Sequence, residues 1–102
     1  LVDQLTTPVR NAKRPEDARR AAHDLIDELG QLPPDQALLT RVLTLRDDRL
    51  LEKALDELLE LDGRGKVRAS PELTAIVKKI DSPNRDVQYL QELLLEKLGA
   101  AR

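Results

Sequence analysis

The chain contains no Cys, Met, Trp or Phe, and it has a single Tyr and a single His. Without Cys there is no disulfide, no thiolate metal site and no Cys nucleophile. One histidine leaves any zinc site to be completed by carboxylates, which supply few of the usual structural ligand sets. No apolar run reaches the roughly 18 residues that a membrane-spanning helix needs. Neither sign of charge dominates: 17 Lys and Arg face 19 Asp and Glu, for a net charge of −2. That balance argues against a general nucleic-acid binder.

What is abundant is leucine, 21 of 102 residues, together with Ala, Glu, Arg and Lys. These are strong helix formers, and no stretch alternates apolar and polar residues for long, so an all-α fold is expected. The length suits one domain spanning 1–102. Because the chain opens at Leu1 rather than Met, it is expected to be a piece of a longer protein, and a cytoplasmic location is the expectation.

The helix boundaries are well punctuated. Pro15-Glu16-Asp17 suits a first turn, proline at N1 and carboxylates at the positive end of the dipole. The stripe Ala18, Ala21, Ala22, Leu25, Ile26, Leu29 follows, with Gly30 as the stop. Pro33-Pro34-Asp35 opens a helix carrying Leu38, Leu39, Val42, Leu43 and Leu45. Asp47 or Asp48 caps the next, which carries Leu51, Ala54, Leu55, Leu58 and Leu59 and is expected to end near Gly63. Ser70-Pro71-Glu72 opens a fourth, with Leu73, Ile76, Val77 and Ile80. After Ser82-Pro83-Asn84 comes a last helix with Val87, Leu90, Leu94 and Leu98, ended by Gly99. The first dozen residues read as a short or partial helix, making about five to six helices.

A shift of about 33 superposes Ala18 on Leu51, Ala22 on Leu55 and Leu25 on Leu58, and a shift of about 36 superposes Leu51 on Val87 and Leu58 on Leu94. Leu38, Val42 and Leu45 match Leu73, Val77 and Ile80 at about 35. This period suits stacked helix pairs; an ordinary antiparallel bundle is the alternative.

The segments Arg46-Asp47-Asp48-Arg49-Leu50-Leu51-Glu52-Lys53-Ala54-Leu55-Asp56-Glu57-Leu58 and Asp81-Ser82-Pro83-Asn84-Arg85-Asp86-Val87-Gln88-Tyr89-Leu90-Gln91-Glu92-Leu93-Leu94 resemble HEAT or armadillo-like repeats. That resemblance implies a right-handed stack of antiparallel helix pairs used as a binding surface or scaffold. A second one competes. Lys53-Ala54-Leu55-Asp56-Glu57-Leu58 followed by Glu72-Leu73-Thr74-Ala75-Ile76-Val77-Lys78-Lys79-Ile80 is similar to the helical amino-terminal domain of transcription elongation factors. It implies binding of short peptide motifs.

Residues that could carry chemistry are few. His23 reads as a structural histidine. The carboxylate pairs Asp47-Asp48, Asp24 with Asp27, and Asp56-Glu57 show no sign of the burial that general acid–base work needs, so no catalytic, metal or cofactor site is expected. The connector from Asp62 to Ser70 lacks the glycine-lysine order of a phosphate loop. It reads first as a helix stop and a cap. Its second reading is an anion or acidic-peptide contact through Arg64, Lys66 and Arg68. Arg10, Lys13, Arg14, Arg19 and Arg20 form a basic run that reads as a solvated face.

The apolar surplus points outward. Leu93-Leu94-Leu95 steps 100° per residue, so one face cannot bury all three. Leu95, with Tyr89 or Leu93, is therefore expected at an oligomer or partner interface. Polar candidates for a concave face on the second helices are Arg20, Asp24, Lys53, Asp56, Gln88 and Glu92. The expectation is a non-enzymatic protein-interaction or scaffold module that takes a protein partner or a second copy of itself. The alternatives are a peptide-binding domain of elongation-factor type and a self-assembling structural subunit.

Overall fold

The computed structural model describes Pro8 and residues 11–99. Five helices follow in order: α1 Pro15–Leu29, α2 Gln36–Leu43, α3 Asp48–Gly63, α4 Pro71–Lys78 and α5 Arg85–Lys97. Among the described residues there is no strand, and the fold is all-α. The short helix expected over the first dozen residues falls largely outside the described residues.

Four of the five helix starts use a side-chain cap that answers an orphan amide of the first turn. Asp35 accepts from the Leu38 amide at 3.2 Å, Asp47 from Leu50 at 3.2 Å and Ser70 from Leu73 at 3.1 Å. Asn84 accepts from both Asp86 and Val87. α1 starts instead on proline at its first position, behind Arg14, with no side-chain cap. Its N–H requirement is already reduced there.

The stop of α3 differs from the expected one. Gly63 stays helical, and the left-handed turn comes two residues later at Gly65, φ 70°. The Lys66 amide reaches back to the Leu61 carbonyl and the Gly65 amide to Asp62. This paired closure needs its positive-φ residue after Arg64, and Gly65 supplies it. α2 and α4 are also shorter than their apolar stripes, because Leu45 and Ile80 lie just beyond the last helical turns while still joining or flanking the core.

α3 is the hub. It packs against α5 and α2 and more lightly against α1; α2 also meets α4, and α4 meets α5. Its buried residues Leu50, Leu51, Ala54, Leu55, Leu58 and Leu61 wrap well beyond one narrow stripe. A helix covered on several sides needs that width. Contacts between α1 and α3 advance in the same sense along both: His23 meets Asp47, Asp27 meets Arg49, and Gly30–Leu32 borders Lys53–Glu60.

Two adjacent aspartates at the head of α3 tie the layers together. Asp47 caps α3 with Oδ1 and meets His23 Nε2 with Oδ2 at 2.8 Å. Asp48 accepts the buried Ser82 hydroxyl at 2.6 Å, and Ser82 Oγ in turn accepts from the Asn84 amide at 3.1 Å. The first link reaches back to α1 and the second forward to the turn before α5. At the far end of that turn, Gln91 of α5 donates to the Val77 and Ile80 carbonyls that close α4.

Candidate interaction surfaces

The polar candidates on the second helices are mostly at the surface. Arg20, Asp24, Asp56, Gln88 and Glu92 are exposed, and Lys53 is half-buried. Lys53 and Asp56 come together at a pocket beside the end of α1. Gln88 donates to the Ser82 carbonyl at 2.8 Å and so helps hold the start of its own helix.

The two apolar candidates on α5 separate. Tyr89 is 63% exposed, whereas Leu95 is half-buried and packs against the core edge. Leu93 is half-buried, one helical turn on from Tyr89. Tyr89 is thus the exposed large apolar side chain of α5, and Leu93, half-buried like Leu95, lies outside the group packed on the core. The 100° stepping predicts that one leucine of the triplet faces away from the core, and it takes the packing of α5 on α3 to select which.

Lys66 and Arg68 do share a cleft, of about 590 Å3, with Gln36, Thr40, Ser70 and Glu72. Arg64 is not among its lining residues; its backbone closes α3. The connector is held by Gln36, whose amide donates to the Arg68 carbonyl at 2.9 Å and accepts from the Arg68 amide at 2.8 Å. Glu72 places a negative charge in the same cleft, which weakens its attraction for an anion.

A second groove, of about 510 Å3, opens between the ends of α2 and α4 and the start of α3. Leu43, Leu51, Ile76 and Ile80 form its apolar lining, and Arg46, Lys79 and Asp81 its charged rim. Arg46 sits at φ 56°, a left-handed conformation that costs a non-glycine residue about 1–2 kcal/mol. Buried Leu45 on one side and the doubly bonded Asp47 on the other hold it there. Ile76 and Ile80 look like plain core residues in the sequence. Their half-exposure follows from α4 stopping at Lys78.

No group of three His, Cys, Asp or Glu among the described residues is arranged to hold a metal ion. The His23–Asp47 pair links two helices, and the Ser82 hydroxyl is engaged with Asp48 rather than with the imidazole. Burial pushes the Asp47 carboxyl up, but hydrogen bonds from His23 and the Leu50 amide, with the charge of His23, outweigh it and hold the carboxyl below its ordinary value. No helix among the described residues is long and apolar enough to cross a membrane.

No protein-family model, curated protein or solved structure matches this chain.

One carboxylate departs from expectation. Glu57, paired with Asp56 in the sequence and not expected inside, is only 9% exposed. A signal was present: Glu57 stands seven residues after Leu50, three after Ala54 and four before Leu61, all buried, so it falls on the inward side of the helix.

Proposed function

We propose that this domain is a non-enzymatic protein-interaction module of helical-repeat type, with α1, α3 and α5 in one layer and α2 and α4 in the other. The neighbour relations support it: α3 lies between α1 and α5, α2 meets α4, and α1 runs in the same sense as α3. The observation that carries the binding function is the groove of Leu43, Leu51, Ile76 and Ile80 with Arg46 and Lys79 on its rim. An open apolar lining whose rim carries two cations, Arg46 and Lys79, against one carboxylate, Asp81, suits a short peptide that inserts an apolar side chain and carries acidic neighbours. This occupant also fits the second resemblance, to the peptide-binding helical domain of elongation factors.

The test is a peptide array of apolar–acidic motifs, followed by titration of the best binder against Lys79→Glu and Ile80→Ala. Affinity should fall in both, and the salt dependence should weaken in Lys79→Glu. Binders whose affinity both variants leave unchanged would overturn the groove. The self-assembling alternative is favoured by the exposed Tyr89 with Leu93 on α5. A sedimentation mass that rises with concentration, and ceases to rise in Tyr89→Ala, would support it instead.

A further inference from the structure

Beside the last turn of α1 lies a separate pocket of about 280 Å3, bordered by Gly30, Leu32, Lys53, Asp56, Glu57 and Glu60. Its innermost acid is Glu57, nine-tenths buried, which makes no hydrogen bond or ion pair among the described residues. The Glu57 oxygens are not sealed off, since the fully buried side-chain polar atom without a partner among the described residues is Arg41 Nε, so a ligand entering the pocket can reach them, while burial still penalises the charged form. Lys53 borders the same pocket without pairing with it.

The pocket carries net negative charge, three carboxylates against the one ammonium of Lys53. Asp56 and Glu60 add two carboxylates, and Gly30 marks the C-terminal, negative end of α1. Neither α1 nor α3 carries a basic residue in its last turn to offset its dipole. The carboxylates are not grouped tightly enough for a metal ion. A larger organic cation with several donors suits the spacing. A planar guanidinium can bridge carboxylates that a point charge cannot.

We infer that this pocket is a socket for an arginine side chain of a partner protein, with Glu57 as the buried acceptor and Asp56 and Glu60 at the rim. The inference rests on the interaction-module reading but uses a surface distinct from the groove between α2 and α4. In the free chain, burial pushes the Glu57 carboxyl up; Glu60 and Asp56 reinforce the shift and Arg64 opposes it. The empty socket thus destabilises the charged form. Glu57→Gln is accordingly expected to fold, with a thermal midpoint by circular dichroism at or above that of the parent chain at neutral pH.

The experiment is a titration of the 15N-labelled chain with acetyl-Gly-Arg-Gly-amide, followed by amide shifts, with the citrulline peptide as the uncharged control. Saturable shifts are expected at Gly30, Gln31, Leu32 and residues 53–60, with affinity falling by about tenfold or more in Glu57→Gln and with citrulline. Glu72→Gln, in the Lys66–Arg68 cleft, should leave the affinity unchanged. Absent or non-saturating shifts, or equal binding by the citrulline peptide or by Glu57→Gln, would overturn the socket. Normal binding of an apolar–acidic peptide by Glu57→Gln, with no arginine response in the parent, would reject the socket and keep the groove. An arginine response without groove binding would do the reverse.

Discussion

Replacing Asp47 by alanine removes two interactions at once, and variants can separate them. Oδ1 caps α3 through the Leu50 amide, and Oδ2 holds His23 of α1 at 2.8 Å. Loss of an aspartate cap costs about 1 kcal/mol. The His23 contact is partly shielded, with side-chain exposures of 31% and 24%, and contributes about another 1 kcal/mol, between an exposed pair and a fully buried charged hydrogen bond. Asp47→Ala should therefore cost about 2 kcal/mol, and Asp47→Ser, which keeps a cap, about half that. With no Trp in the chain, urea unfolding is best followed by far-ultraviolet circular dichroism. A slope of about 1 kcal/mol/M would make the alanine midpoint shift about 2 M. The sign with pH is set by the folded carboxyl lying below its ordinary value. Its contribution is complete above the unfolded carboxylate range, near pH 4, and is lost as pH falls through the lower folded value. The parent chain should therefore lose more stability on acidification than Asp47→Ser. A double-mutant cycle with His23→Ala should give a coupling of about 1 kcal/mol near pH 5. Coupling indistinguishable from zero, or equal costs for the serine and alanine variants, would refute the two-part account.

Four further outcomes follow from packing and turns. Leu55→Ala, at a fully buried position on the hub helix, should cost about 2–5 kcal/mol in urea unfolding, a large share of a small domain's stability. Ser82→Ala breaks the hydroxyl link to Asp48 and the one from the Asn84 amide, and should cost about 1–3 kcal/mol, with hydrogen exchange rising first at the start of α5. Gly65→Ala meets no atom within 4 Å of the added Cβ, so its cost of about 1–2 kcal/mol should come from φ 70° alone. Gly63→Ala, at a helical position, should instead be neutral or stabilising by up to about 1 kcal/mol.

Much of the fold was legible in the residues because each helix is bounded by local chemistry. Asp35, Asp47, Ser70 and Asn84 act on amides two or three residues away, and such caps need no tertiary partner. The displaced stop at Gly65 shows the limit of local reasoning. Two glycines, 63 and 65, were both adequate stops, and the closure through Lys66 and Leu61 selected the second. The interaction surfaces were less legible. Lys66 with Arg68, and Lys53 with Asp56, were close in the chain and stay close in space. The groove joins residues from Leu43 to Asp81, and no spacing along the chain announces it.

The sequence by itself determined the helices, their starts and the leucines that bind them, since periodicity and capping act within a few residues. Only the tertiary structure decided which apolar side chains remain at the surface and which acid goes inside. Leu95 packs while Tyr89 stands out, and Glu57 is buried while Asp56 is not. Those outcomes depend on how α5 and the end of α1 sit against α3, and burial is a property of the neighbours a residue acquires rather than of the residue itself.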